Sequence, residues 1–282
     1  MNFINYNGKL LPEDTPIING NNRGLRFGDG LFETLKYRNG NFVLLDEHLS
    51  RLWQGLKLLQ FQIPKLFTLD QLEQQLHSLI DKNKCQHARI RITVFRGNGG
   101  LYDAENHHPN YLLQCWPLNN QTGQWNENGL HCCLYESIQK TTDAISNCKH
   151  NNFLPYVQGA LHAQQQQCND ALIFNIHHRI CDSTIANIFW IKDGQVFTPP
   201  LSEGCIAGIL RAELIHTLKG TAHEVRESTL SKEILLEADE VFLTNSIHEM
   251  RWVSRIDDSN YSCVQSMQIR MLLRQTNPSV FC

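Results

Sequence analysis

The sequence predicts a mixed α/β protein in two parts, and three observations carry that prediction. Short apolar runs, alternating or continuous and bounded by Gly, Asn and Pro, recur along the chain and read as strands. Between them lie segments whose apolar residues repeat at helical spacing. A polar stretch without periodicity, Pro117 to Asn128, separates the two sets and is the best boundary. At 282 residues the chain has room for one large domain or two of ordinary size. The boundary divides it into an N-terminal domain over 1–118, a linker over 119–128 and a C-terminal domain over 129–282.

The elements follow in order. Phe3–Tyr6 and Lys9–Leu11 read as a hairpin closed by Asn7-Gly8, and Asn19–Gly24 as loop. Glycines 28 and 30 lead into a strand that alternates Leu31/Glu33/Leu35 with Phe32/Thr34/Lys36, and Arg38-Asn39-Gly40 turns it onto Asn41–Leu45. Asp46 is the expected N-cap of a helix with Leu49, Leu52, Trp53, Leu56 and Leu59 inward. On that periodicity Arg51 points to solvent. Thr68 is expected to cap a second helix. Arg89–Arg96 reads as a strand with Arg89, Arg91 and Arg96 on one face. Such a row of cations needs anions, and two readings stand open: carboxylates of a neighbouring strand, or the wall of an anion-binding cleft.

In the second half, strands are expected at Leu130–Tyr135, Ala171–Phe174, Ile188–Ile191, Gln195–Phe197 and Glu240–Thr244. A helix starting near Pro155 carries Leu154, Val157 and Leu161, and a final helix carries Val264, Met267, Met271 and Leu272. Glycines 204 and 208 open another helix at Ile209-Leu210, where free N–H groups and the positive dipole end suit an anion. Asn245 and Ser246 end the strand that starts at Glu240, where ligands are often held.

Composition removes several function classes. A net charge of −3 without a basic block argues against nucleic acid or anionic membrane as partner. No apolar run approaches transmembrane length, and the N-terminus lacks the basic and apolar regions of a signal peptide. Ten cysteines without a CxxC pair read as reduced thiols of a cytoplasmic protein. The scattered histidines suggest no metal site.

Lys149 stands out. It lies among small and neutral residues at what reads as the opening of a helical segment, and the nearest carboxylate before it is Asp143. A cation set against a helix dipole, with no nearby anion, should have a lowered pKa, which suits a lysine that attacks carbonyl carbon.

Taken together, RGLRFGDGLFETLKY, HLSRL, RITVFRGNGG, the Lys149 segment, Asp182 five residues before Asn-Ile-Phe, the Gly-Ile-x-Arg helix entry and ADEVFLTNS resemble the class IV aminotransferases. These landmarks run in the family's order from about Gly24 to Arg251. The resemblance implies the two-domain fold type IV, like D-amino acid aminotransferase, with pyridoxal 5′-phosphate in the interdomain cleft of a homodimer. It implies that Lys149 is the Schiff-base lysine and proton shuttle, and that Arg51 binds the cofactor phosphate, which overrides the solvent-facing assignment. By the same resemblance, the N–H groups of Ile209 and Leu210 and the side chain of Ser246, with Asn245 beside it, complete the phosphate site, and Ile206 packs on the ring. Asp182 stands where the family usually has the glutamate that partners the pyridine nitrogen. It is one methylene, roughly 1.5 Å, shorter, so either its backbone sits closer or a water bridges.

Within the family, D-amino acid aminotransferases fit worst, because the positions of their tyrosine and Arg-x-His trap hold Phe32, Leu101 and Asp103. Branched-chain transaminases usually have Tyr where this chain has Leu154 and Thr where it has Leu210. Aminodeoxychorismate lyases match better at Lys149-His150, Arg96–Gly100 and Asn187–Trp190, although Leu101 stands where they often carry arginine. The expected activity is therefore release of pyruvate and 4-aminobenzoate from 4-amino-4-deoxychorismate. A branched-chain-type transaminase is the alternative, and a cofactor-binding but inactive member, suggested by Asp182, is the third. Phe32, Arg89, Arg91 and Arg96 are the candidate substrate contacts.

Overall fold

The computed structural model describes residues 2–119 and 121–281. Met1, Asn120 of the expected linker and Cys282 lie outside the described residues. The chain forms two compact units: Met1–Thr122 with Cys148–Asn152, and Gly123–Asn147 with Phe153–Cys282. The boundary drawn from sequence keeps the lysine segment with residues 129–282; its backbone instead belongs with the first unit.

The first unit contains β1 (Phe3–Tyr6), β2 (Lys9–Pro12), α1 (Arg23–Phe27), β3 (Gly30–Arg38), β4 (Asn41–Phe42), α2 (Leu45–Leu58), α3 (Leu69–Asn83), β5 (His87–Arg96) and β6 (Pro109–Pro117). The strands form one antiparallel sheet in the order β2-β1-β6-β5-β3-β4. Both expected tight turns are present, with positive φ at Asn7-Gly8 and Asn39-Gly40, the geometry that matches strand twist. Because side chains alternate across a sheet, Leu31, Leu35, Ile90, Ile92, Val94 and Leu113 share one face. They pack there with the apolar stripes of α2 and α3.

Three local expectations change. From Arg23 the expected loop is helical, because the Asn22 side chain accepts from Leu25 N–H and Gly28 ends the turn in the left-handed region. Asp46 is not the N-cap of α2. Leu44 is, because Val43 N–H is still bonded to Lys36 O of β3, and Asp46 and Glu47 lie in the first turn. Arg96 is five residues from Arg91, an odd offset, so it projects from the opposite face of β5 to Arg89 and Arg91. Thr68 caps α3 as expected, accepting from Gln71 N–H.

The second unit contains β7 (Leu130–Lys140), α4 (Leu154–Gln165), β8 (Asp170–Asn175), β9 (Ile180–Ser183), β10 (Asn187–Lys192), β11 (Gln195–Thr198), α5 (Ile209–Leu218), β12 (Val225–Glu227), α6 (Lys232–Leu236), β13 (Glu240–Asn245), β14 (Glu249–Ile256), β15 (Ser259–Asn260) and α7 (Val264–Thr276). Its mixed sheet runs β12-β11-β10-β13-β14-β7-β8-β9, with β15 on β14. Alternate residues of the central strands enter different cores. Cys132 and Leu172 meet Leu235 of α6, while Cys133 and Ile173 meet Tyr156 and Ala163 of α4.

Two expected apolar stripes are not the buried ones. Leu154, Val157 and Leu161 of α4 are exposed, and Tyr156, Gly159 and Ala163 face the sheet. Small residues let that helix lie close: a Cβ on Gly159 would stand 2.6 Å from Ile173 Cδ1. On α7, Val264, Met267 and Met271 are exposed, while Ser266, Ile269, Arg270 and Leu273 are buried. The buried Glu240 carboxylate fixes that orientation by accepting from the N–H groups of Gln265 and Ser266 at the start of α7. The nine described cysteines are free thiols. Among the described residues no helix is long and apolar enough to cross a membrane.

Candidate active site

The lysine segment is extended where a helix start was expected. Phe32 N–H donates to Lys149 O at 2.8 Å, and Asn151 N–H donates to Gly30 O at 2.9 Å. Asn151 Nδ2 adds a bond to Val94 O at 3.1 Å. Backbone groups committed to β3 cannot close a helical turn, so α4 starts only at Leu154, with Pro155 in its first turn. The dipole argument for Lys149 therefore falls away. Gly30 permits this docking: a Cβ there would stand 2.0 Å from Val94 O and 2.6 Å from Asn151 Nδ2.

The docking places Lys149 Nζ 4.5 Å from the centre of the Phe32 ring. The Arg91 guanidinium lies 3.8 Å from the same ring centre and donates through Nε to Thr93 Oγ1 at 3.0 Å. Burial and the neighbouring Arg89 push Arg91 below its ordinary pKa. Arg89 is exposed and stacks over Trp116. Phe32, Arg91 and Lys149 thus form one cluster, with Arg89 on the same strand face. Arg96 is not part of it. It bonds to Asp29 and to the carbonyls of Leu59 and Gln60, holding loops together.

Arg51 does not point to open solvent. Its Nε and Nη2 donate to the two oxygens of Glu33, at 2.8 and 2.6 Å, and His48 Nδ1 is 2.7 Å from Glu33 Oε2. Glu33 is 1% exposed. Burial opposes its ionisation, but Arg51 and His48 overcome that and bring its pKa down to about 2. Burial pushes His48 below its ordinary pKa, while the contact with Glu33 pulls it up. Sequence reasoning missed both Glu33 and His48. The available signal was a carboxylate on the Leu31/Leu35 face of β3, since a charge on an apolar face needs a buried partner.

In the second unit Asp182 lies on β9, one residue before its end, and is 1% exposed. Its Oδ2 accepts from Tyr156 Oη at 2.8 Å, Ile206 N–H at 2.9 Å and Lys140 Nζ at 3.4 Å, and its Oδ1 accepts from Asn187 Nδ2 at 2.8 Å. Burial raises its pKa, and Lys140 with the hydrogen bonds opposes that rise. Sequence missed Lys140 because β7 continues past its expected end at Tyr135 through a register shift. It missed Tyr156 because the larger aliphatic residues of α4 lie on the other face.

Asn187 ties this carboxylate to the start of α5. Its Nδ2 also reaches Ile206 O at 2.8 Å, and a Cβ on Gly208 would stand 1.9 Å from its Oδ1. Gly208 is the N-cap of α5 and offers no side-chain cap to that helix. Ile209 and Leu210 therefore begin a helix whose N-terminus has a site for an anion. Thr244, paired with Asn187 across β10 and β13, has a buried Oγ1 with no hydrogen-bond partner among the described residues. Asn245 Oδ1 accepts from the N–H groups of Ile247 and His248, so it shapes the turn that carries Ser246.

Each unit carries groups of the kind pyridoxal phosphate needs: the first an amine at Lys149 and the guanidinium of Arg51, the second a buried carboxylate at Asp182 and the helix start at Ile209. Among the described residues no cluster of His, Cys, Asp and Glu could hold a metal ion.

Residues 30–256 match the family described as amino-transferase class IV. The chain is 28% identical over 236 residues to the aminodeoxychorismate lyase of Vibrio harveyi, covering 83% of this chain and 85% of that protein. It is 28% identical over 257 residues to a putative branched-chain-amino-acid aminotransferase of Methanocaldococcus jannaschii, covering 90% and 88%. The fold superposes with a TM-score of 0.87 on the T.th. branched-chain amino acid aminotransferase with pyridoxamine 5′-phosphate, at 20% identity over 99% of this chain and 95% of that one. The order of motifs, the matched span and the fold agree: the chain belongs to the class IV aminotransferases, a family of pyridoxal 5′-phosphate-dependent enzymes.

Proposed function

We propose that the protein is a class IV enzyme of the aminodeoxychorismate lyase type, releasing pyruvate and 4-aminobenzoate from 4-amino-4-deoxychorismate. The observation that carries the reading is the Phe32 ring with the Lys149 amine 4.5 Å and the Arg91 guanidinium 3.8 Å from its centre: a nucleophile and a cation able to receive a carboxylate, gathered on one side chain. The motif likeness at Lys149-His150 and Asn187–Trp190, and the similarity to the Vibrio harveyi lyase, favour elimination.

Bound pyridoxal phosphate would supply an electron sink for the pair left when a Cα proton departs. Lys149 would hold the cofactor and then move that proton. Asp182 would keep positive charge at the ring nitrogen, and Ile206 would pack on the ring. Arg51, the N–H groups of Ile209 and Leu210, and Ser246 on the turn set by Asn245 would bind the phosphate. Arg91, with Arg89, would receive substrate carboxylates.

Branched-chain transamination is the second reading, supported by the Methanocaldococcus jannaschii relative. An inactive cofactor-binding protein is the third, motivated by Asp182. The test is to load the protein with pyridoxal phosphate and supply aminodeoxychorismate, or L-leucine with 2-oxoglutarate. Release of 4-aminobenzoate with pyruvate supports the lyase, and 4-methyl-2-oxopentanoate from leucine supports the transaminase. Failure to take up the cofactor rejects both. The family resemblance extends to a cytoplasmic homodimer, which light scattering of the purified protein and fractionation of the source cell would test.

A further inference from the structure

Lys140 is a buried cation that the reading above leaves unused. It stands at the shifted end of β7, opposite Asn175 of β8, and is 4% exposed. Its Nζ lies 3.4 Å from Asp182 Oδ2 and 5.1 Å from the centre of the Tyr156 ring. A buried ammonium is costly unless it is paired, and packing alone is served as well by methionine or leucine. Its value in this position therefore lies in its charge.

The distribution of donors around Asp182 shows what that charge does. Lys140, Tyr156 and Ile206 N–H all converge on Oδ2, while among the described residues Asn187 is the single donor on Oδ1. Oδ2 is crowded by three donors and Oδ1 receives one, so Oδ1 is the oxygen with acceptor capacity left. We propose that Lys140 is a positioning residue: it holds Asp182 in place as an anion whose Oδ1 can accept from a cationic N–H, the ring nitrogen of the cofactor. This inference rests on the proposed function, and it gives the short Asp182 side chain a counter-charge from behind.

The other titratable groups facing Asp182 are Tyr156 from α4, Cys181 beside it on β9 and Cys205 before α5. Burial pushes all three up, Cys205 to about 12, so none of them supplies or removes charge near neutral pH. Burial alone drives Asp182 toward its protonated form, and Lys140 acts against that. A protonated Asp182 would offer a donor where an acceptor is needed.

The experiment is a carbon-13 titration of Asp182 in the folded apoprotein, assigned with Asp182→Asn. It compares wild type with Lys140→Met, Lys140→Gln and Lys140→Arg. In Lys140→Met and Lys140→Gln the Asp182 midpoint should rise by roughly 1–3 pH units, the usual effect of removing an opposite charge at this range. In Lys140→Arg it should stay near the wild-type value. The pH midpoint of visible absorbance in the cofactor-loaded proteins should follow the same order. An unmoved midpoint in whichever neutral variant folds overturns the inference. An equal shift in Lys140→Arg also overturns it, since that would report side-chain shape and not charge. A band of lysine-linked cofactor surviving in Lys149→Ala would sink the cofactor reading instead, without touching the apoprotein titration.

Discussion

Replacing Glu33 by Gln removes one negative charge from a buried cluster while keeping its shape. In the native protein Glu33 accepts two bonds from Arg51 and one from His48. Its pKa falls from 4.5 to about 2 on folding. At 1.36 kcal/mol per unit, that difference corresponds to about 3 kcal/mol of stability at neutral pH. The sign follows from the depressed pKa. The contribution is fully present above the unfolded-state value and is lost as pH falls through about 2. Near pH 3 roughly 1.4 kcal/mol should remain. Urea unfolding of wild type and Glu33→Gln, followed by far-ultraviolet circular dichroism, should therefore show a gap of about 3 kcal/mol at pH 7 that shrinks by about half near pH 3. The variant should also bind pyridoxal phosphate more weakly, because Arg51 loses the partner that orients it. A gap that is small at neutral pH, or that does not change with pH, would show that Glu33 is not an ionised partner of Arg51.

Other changes test separate contacts. Lys149→Ala should abolish turnover and the absorbance band of lysine-linked cofactor with the circular dichroism unchanged; a retained lysine-linked band on loading with pyridoxal phosphate contradicts the assignment. Gly30→Ala forces a Cβ to within 2.0 Å of Val94 O, and should cost about 3 kcal/mol or prevent folding; a melting temperature within a degree or two of wild type refutes the close docking of the lysine segment. Arg91→Ala should raise KM for aminodeoxychorismate by about 10- to 100-fold with a smaller change in kcat, as expected for the loss of a charge-assisted bond. An unaltered KM removes Arg91 from the substrate site.

Elements with many residues in one pattern were legible from sequence. The hairpins at Asn7-Gly8 and Asn39-Gly40, the stripes of α2 and α3, and the Thr68 cap each depend on residues within a few positions of one another. The inward face of α4 was not legible. Its exposed side carries the larger aliphatic residues, while Tyr156, Gly159 and Ala163 are selected by how closely the helix approaches β8. Hydrophobicity ranks residues without sensing that distance. The single-face reading of Arg89, Arg91 and Arg96 failed for a simpler reason, strand parity.

The sequence by itself determined the family, the alternation of strands and helices, and Lys149 as the residue to watch, because motif order and periodicity are properties of the chain. Tertiary structure alone decided the partners. Glu33 meets Arg51 across 18 positions, and Lys140 meets Asp182 across 42. Those distances close only through sheet order, strand register and the shift at the end of β7. The same holds for Lys149. Its segment is extended because β3 takes its hydrogen bonds, a competition between backbone partners that no local pattern records.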